Sequence, residues 1–390
     1  LVMDGVSWRI LLEDLQTTYH QLNQGEQPQL PQKTDSFQRW SKLQGDYANT
    51  LINSDEHTYW QNLMTQQVPE FPADYEVEDV SLDSTASFNL SKSITDQLQT
   101  KIHQAYNTEI NDVLLTALGL ALKESLSVEK TVIKMEGHGR EEIIEEVDIS
   151  RTVGWFTTYY PYVLDTSTTD DNINVLIAIK ESLRQLPTKG IGYGILNELT
   201  AQLKGQLRPS IEFNYLGDLG GETTGSSSQE LFGFAEADMG PDFGSENKQE
   251  EQLQVSGFIS DGELNMSITY SSACYQKQTI EELNTQLEQN LIRLVENLSD
   301  KANISTPSDF TYKGLTVSEL SSLNSNSNIE DIYELSPLQE GMYYMWLLDK
   351  EAEAYFIQTS YRIKGLTTAV ETIKKAYDHL VSRHAILRTA

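Results

Sequence analysis

Two alternating runs, Leu253 to Ser260 and Glu263 to Ser271, meet at Asp261-Gly262. Strict apolar/polar alternation marks half-buried strands, and Asp-Gly supplies the positive-φ residues that a tight hairpin turn demands. An isolated hairpin is marginal in water, so this one needs partner strands. Thr131 to Met135, Thr158 to Leu164 and Ser210 to Tyr215 read as such strands. Helical patterns lie between them. Asn111 to Ser125 turns Val113, Leu114, Ala117, Leu118, Ala121 and Leu122 inward, with Asn111 or Thr108 as the cap. Ile173 to Leu186 is a helix stopped by Pro187. Thr279 to Leu298 carries Leu283, Leu287, Leu291, Leu294 and Val295 on one side. Helices interleaved with separated strands predict an α/β sandwich. No dinucleotide or P-loop glycine pattern follows a strand.

The first hundred residues are more helical. Val6 to Tyr19 reads as an amphipathic helix with Trp8, Leu12, Leu15 and Tyr19 on its apolar face, widened by Ile10 and Leu11. Asn23 to Pro31 is a polar loop. Ser36 to Met64 is helical, with breaks expected near Gly45 and Asn53. Val68 to Asp83 reads as an irregular crossover, and Ser91 to Tyr106 as helix. Gly220 to Ser228 is rich in Gly, Ser and Thr and expected to be mobile. From Ala302 to Asn328 the composition shifts to Ser, Asn and Thr, the signature of a linker, with a short helical turn over Ser318 to Leu323.

The 390 residues suffice for two domains or for one large two-lobed domain, and 38% apolar content suffices for a core. A formal charge of −30 argues against nucleic acid and anionic membranes as partners, because phosphates would be repelled. The single cysteine, Cys274, excludes an intrachain disulfide framework and fits a reducing, cytoplasmic setting. No apolar run approaches the length of a membrane span. The six histidines show no ligand spacing with cysteines or carboxylates, so metal catalysis is not expected.

The chemistry concentrates in Val132-Ile-Lys-Met-Glu-Gly-His-Gly-Arg-Glu-Glu142. An apolar strand ends in Glu136, and Gly137 and Gly139 flank His138 directly after it. A strand end fixes a carboxylate, and glycines beside it leave room for a substrate. Taken alone, such a glutamate reads as a solvated turn residue. Three further blocks change that reading. They are Asp4-Gly-Val-Ser-Trp-Arg-Ile-Leu-Leu-Glu-Asp-Leu15, Arg151-Thr-Val-Gly-Trp-Phe-Thr-Thr-Tyr-Tyr-Pro161 and Phe213-Asn-Tyr-Leu-Gly217. In order and spacing the four blocks resemble the epimerization domain of nonribosomal peptide synthetases, whose signatures are HHxxxDG running into VSWxILxEDL, then EGHGRE, RTVGWFT-x-x-YP and FNYLG. The resemblance covers most of residues 1–310, and EGHGRE with RTVGWF separates these domains from the condensation domains that share their fold. Further on, Ser336-Pro-Leu-Gln-Glu-Gly-Met342 and Arg383-His-Ala-Ile-Leu-Arg-Thr389 resemble the first two condensation-domain signatures.

The resemblance implies an α/β, chloramphenicol-acetyltransferase-like two-lobed condensation/epimerization fold, here with a partial first lobe and a complete second lobe. It implies residues 1–310 as an epimerization domain lacking its N-terminal part, 311–328 as a linker and 329–390 as the start of a condensation domain. Only Asp4 and Gly5 remain of HHxxxDG, so the family's catalytic histidine is not a residue of this chain. The chain therefore looks like a piece of a longer polypeptide, and exchange by the piece alone is expected to be weak or absent. The implied substrate is an aminoacyl or peptidyl thioester on the 4'-phosphopantetheine of an upstream carrier-protein domain, with no dissociable cofactor. The implied reaction is L-to-D inversion, feeding a downstream condensation domain.

Inversion at a carbon alpha to a thioester needs a base, an acid on the opposite face and stabilisation of the enolate-like oxygen. The resemblance assigns the first two roles to Glu136 and the absent histidine, leaving open which removes the proton. A glutamate working near neutral pH needs a raised proton affinity, which an apolar rim of Trp155, Phe156 and the tyrosines can supply. Asn214 and Tyr215 are candidates to contact the carbonyl, or a buried polar pair holding two strands. Trp155 and Tyr159 line a side-chain pocket or belong to the core. Asp4 is expected to be structural, paired with an arginine the sequence does not single out. Ser7 lacks a nucleophile elbow. His138 is expected to take a structural or solvent-facing role rather than to replace the missing base. The rival readings are a condensation domain proper, forming an amide, and an inactive carrier-docking fragment.

Overall fold

The computed structural model describes residues 2–75, 81–205, 207–219, 251–299, 301–324, 329–351, 355, 357–361 and 370–389. The chain divides into two compact units, 1–332 and 333–390. In chain order the first holds α1 (Gly5–Asn23), α2 (Phe37–Leu51), α3 (Asp55–Met64), β1 (Ser84–Leu90), α4 (Lys92–Gln99), α5 (His103–Tyr106), α6 (Ile110–Leu126), β2 (Lys130–Gly137) and β3 (Thr158–Asp165). It continues with α7 (Asn172–Arg184), α8 (Ile191–Gly194), β4 (Ile211–Asp218), β5 (Leu253–Ser260), β6 (Glu263–Tyr270), α9 (Lys277–Leu298) and α10 (Val317–Asn324). The second unit contains α11 (Pro337–Leu348) and α12 (Val370–Arg383). Ser336 caps α11 by accepting from the Gln339 N–H, and neither helix has a buried residue.

The strands form one six-stranded mixed sheet in the order β1-β6-β5-β4-β2-β3. β4 runs parallel to both β2 and β5, and the other neighbours are antiparallel. The expected hairpin is β5–β6. Asp261 at φ 51° and Gly262 at φ 78° make its turn, which matches the right-handed strand twist. Alternation splits the sheet into two faces. Ile133, Met135, Ile211, Phe213, Val255, Ile268 and Met266 are buried with α6 and α9. The opposite face carries Lys134, Glu136, Glu212, Asn214, Gln254 and Ser256, all only half-buried.

α6 is apolar almost all round, and Val113 through Ala121 are nearly all fully buried, as a helix needs when it is covered on several sides. α9 is amphipathic. It buries Leu283, Leu287, Leu291 and Leu294 at 1% exposure or less, and each full burial contributes about 1.5–3 kcal/mol.

Several details depart from the sequence reading. α1 does not turn Trp8, Leu12, Leu15 and Tyr19 to the body. Trp8 is 55% and Tyr19 51% exposed, while Ser7 and Ile10 are buried. Polar bonds set the rotation: Ser7 is fixed to Gly154, and Arg151 holds Glu13 and Asp14 at 2.9 and 2.6 Å. α2 runs through Gly45 and breaks only at Asn53, whose φ is +63°. One interior glycine costs about 1 kcal/mol, less than burying Trp40, Ala48 and Leu51 returns. Neither Thr108 nor Asn111 caps α6. The Thr108 hydroxyl is engaged by His103 Nδ1 at 3.0 Å, and the Asp112 carboxylate instead accepts the Glu109 N–H at 2.6 Å.

The segment after α9 is tied to the body over part of its length. Fully buried Lys180 donates to the Tyr106 carbonyl at 2.7 Å, to Thr306 Oγ1 at 2.6 Å and to both Asp309 oxygens at 2.8 Å. Phe310 and Leu320 are buried as well. The Gly220 to Ser228 stretch lies outside the described residues.

Candidate active site

Glu136 is the penultimate residue of β2, opposite Tyr159 of β3. The parallel pairing of β2 with β4 sets Lys134 against Glu212, and the β4–β5 pairing sets Glu212 against Gln254 and Asn214 against Ser256. These side chains share one face. Asn214 Nδ2 donates to Glu136 Oε2 at 2.7 Å. Lys134 Nζ donates to Glu212 Oε2 at 3.2 Å and to Glu251 Oε1 at 3.0 Å, and lies 4.7 Å over the Tyr159 ring. Burial, then the charge of Glu212 and a hydrogen bond with it, push Glu136 up to about 7, against the opposing pull of Lys134 and Tyr159. Tyr159 is pushed up to about 12 by burial and the charges of Glu136 and Glu212, so it remains a neutral donor at neutral pH. A carboxyl that titrates near neutrality can both give and take a proton at working pH.

Behind this face a polar lock fixes the strand end. Asp4 caps α1 by accepting the Ser7 N–H at 2.7 Å, and it also accepts the Phe156 N–H at 3.1 Å. Arg140 donates to both Asp4 oxygens at 3.1 and 3.2 Å, to Ser7 Oγ at 3.1 Å, and to the carbonyls of Ile149 and Thr152 at 2.8 Å each. Its guanidinium stacks 4.0 Å above the Phe156 ring. Burial raises the Asp4 carboxyl, but the bonds from Ser7 and Phe156 and the Arg140 charge outweigh it, and Asp4 ends below the usual carboxylate range. Gly5 is the first residue of α1. Gly139 makes the turn between β2 and Arg140. Its φ is +65°, and a Cβ there would lie 1.7 Å from the Phe156 carbonyl oxygen, so only glycine fits.

The residues singled out from sequence are thus only partly brought together. Glu136, Asn214 and Tyr159 share the polar face. Tyr215, next to Asn214, falls on the other face and packs against the core. Trp155 is half-buried in the segment before β3, and its neighbour Phe156 packs on Phe37 and Trp40 at ring distances of 5.1 and 6.2 Å rather than on Glu136. His138 is exposed and bonded to Glu141 at 3.0 Å, clear of the site. Ser7 is fully buried in the polar lock. Lys134, Glu212 and Arg140 were not singled out. Arg140 supplies the arginine partner of Asp4, and its place within EGHGRE was the available signal. Lys134 stands out as a cation inside an apolar run, whereas nothing local marks Glu212. Among the described residues no group of His, Cys, Asp and Glu is arranged to hold a metal.

Residues 1–316 and 329–390 match the condensation domain family, so the chain belongs to that family of peptide-synthetase domains. Its sheet and helices have the chloramphenicol-acetyltransferase-like fold of the condensation and epimerization domains. The epimerization domain from the third module of tyrocidine synthetase B is 40% identical, with a TM-score of 0.69 over 77% of this chain and 68% of that one. The first condensation domain of the CDA synthetase shares the fold at 16% identity, with a TM-score of 0.57 over 77% of this chain and 64% of that one. Surfactin synthase subunit 1 of Bacillus subtilis (strain 168) is 42% identical over 332 residues, 83% of this chain and 9% of its own length. Bacitracin synthase 1 of Bacillus licheniformis is 36% identical over 396 residues, 100% of this chain and 7% of its own length. The chain thus spans a small part of the curated relatives it matches.

Proposed function

We propose that residues 1–310 form an epimerization domain that inverts the Cα of an aminoacyl or peptidyl residue held as a thioester on a carrier-protein phosphopantetheine. Residues 311–328 then link it to the opening of a condensation domain, 329–390, which accepts the inverted product. Glu136 is one of the two acid/base groups. A base takes the Cα proton, the C–H electrons pass into an enolate on the thioester oxygen, and an acid on the opposite face returns a proton to Cα. Nothing is oxidised or consumed, and no dissociable cofactor is required.

The observation that carries this reading is a strand-end glutamate on the open polar face of the sheet, clamped by Asn214 and lifted to about 7. Asn214 orients that carboxyl, and Tyr159 offers a neutral hydroxyl beside it. Asp4 and Gly5 hold the start of α1 against the EGHGRE turn through Arg140. The carrier domain upstream and the condensation domain downstream are the proposed partners, in the cytoplasm, with neither nucleic acid nor membrane involved. No helix among the described residues is long and apolar enough to cross a membrane.

Amide formation is the competing reading, favoured by the condensation family as a whole. The two are separated by loading the carrier domain of the synthetase polypeptide that contains this chain with an L-aminoacyl thioester and releasing the residue for chiral chromatography. The proposal expects D product without any acceptor amine. Retention of pure L product, with amide formed when an acceptor is added, would support condensation.

A further inference from the structure

An acid/base role for Glu136 leaves its charged neighbours unexplained. Lys134, Glu212 and Glu251 cluster beside it, with side chains 26%, 14% and 10% exposed. Lys134 stands two residues before Glu136, so both project from the same face of β2. Glu212 is the cross-strand partner of Lys134 on β4, which sets it diagonally across from Glu136 on the same face, and its charge helps to raise the Glu136 carboxyl. Lys134 Nζ is shared between Glu212 at 3.2 Å and Glu251 at 3.0 Å, and Gln254 Nε2 approaches the other Glu212 oxygen at 3.4 Å. One ammonium therefore faces two carboxyls, and the negative charge left over lies next to Glu136. Among the described residues, the titratable groups around Glu136 are thus Lys134 from β2, Tyr159 from β3, Glu212 from β4 and Glu251 at the entry to β5.

Two carboxyl groups on neighbouring strands can hydrogen-bond to each other only by holding a proton between them, because an ionised carboxylate only accepts. Like charges that close also resist joint ionisation. Building on the acid/base reading of Glu136, we propose that Glu212 is its positioning residue. It shares one proton with Glu136, while Lys134, itself bonded to Glu251, holds Glu212 in register and Asn214 clamps Oε2 of Glu136. The pair meets the substrate carrying that proton. In the donating direction the Glu136 O–H bond breaks, its electrons stay on the carboxylate, and the enolate electron pair forms the new Cα–H bond. Glu212 touches only Glu136 in this step and is not itself a catalytic residue. The lifted proton affinity of Glu136 agrees with the geometry.

The test is a carboxyl carbon-13 NMR titration of the chain labelled at glutamate, with Glu136 identified by the signal lost in Glu136→Gln. The parent midpoint is expected near 7. Glu212→Gln should lower it by about one unit or more, since a like charge is replaced by a neutral donor. Lys134→Gln should raise it. A Glu136 midpoint that stays within about 0.3 unit of the parent in Glu212→Gln, or that rises, overturns the proposal. Should Glu212→Gln fail to fold, Glu212→Asp draws the carboxyl back by one methylene and must also lower the midpoint, and no change there overturns it equally. Failure here leaves Cα exchange by Glu136 standing, because that is read separately by isotope wash-in.

Discussion

Replacing Arg140 by methionine keeps much of the side-chain volume and removes every polar bond that Arg140 itself makes in the lock. Arg140 and Asp4 side chains are 7% and 3% exposed, so their pairing is largely sheltered from solvent. Removing one partner of a buried ion pair costs roughly 3–5 kcal/mol, because the other charge stays buried. Asp4 keeps the N–H groups of Ser7 and Phe156, which pulls the figure towards the lower end. The carbonyls of Ile149 and Thr152 lose their Arg140 donors, adding on the order of 1 kcal/mol each where water does not replace them. A total of about 3–5 kcal/mol follows, the lower figure where water replaces Arg140 at both carbonyls. Urea unfolding followed by the fluorescence of buried Trp40 and Trp60 reads it as a lower midpoint at unchanged slope. Asp4→Asn combined with Arg140→Met should cost less than the sum of the single changes by at least about 1.5 kcal/mol. The pH dependence has a defined sign. The Asp4 carboxyl lies below its ordinary 3.8 in the fold, so its contribution is full above that value and disappears as pH falls through the folded one. Arg140→Met should flatten that acid limb. A cost below about 1 kcal/mol, or strict additivity with Asp4→Asn, would refute the lock.

Gly139→Ala must move a backbone carbonyl as well as adopt a left-handed conformation. It is expected to cost more than the roughly 1–3 kcal/mol of strain alone and to lower the thermal midpoint, whereas Gly45→Ala in α2 should be neutral or stabilising by calorimetry. Asp309→Ala strands the buried Lys180 ammonium and should cost about 3 kcal/mol in urea unfolding, while Lys180→Met with Asp309→Leu should recover most of the loss.

The sequence was most legible where the governing interactions are local. The β5–β6 hairpin follows from alternation about Asp261-Gly262, and α9 from its leucine spacing, because both patterns are set by contacts within a few residues. The rotation of α1 was not legible. It is decided by Arg140, Gly154 and Arg151, more than a hundred residues away, and these override an apolar stripe that by itself predicts the opposite face. The site was legible in its motif residue, Glu136, and in Asn214, which falls opposite it once β2 and β4 pair. Tyr215 was grouped with Asn214 by adjacency, yet consecutive strand residues point to opposite faces. Glu212 could not be found, since a parallel pairing between distant strands fixes its place beside Glu136 and leaves no short-range trace.

Proton exchange between Glu136 and the substrate Cα is the step proposed above, and deuterium wash-in into the inverted residue measures it directly. The synthetase polypeptide that contains this chain, its carrier loaded with an L-aminoacyl thioester, is incubated in heavy water, and the released residue is separated by chirality and weighed by mass spectrometry. One deuterium at Cα of the inverted residue is predicted for the parent, with formation of that labelled D residue slowed by about 10²–10⁴-fold in Glu136→Gln and the thioester still bound. Labelled D residue formed by Glu136→Gln at a rate within about twofold of the parent would contradict an acid/base role for Glu136.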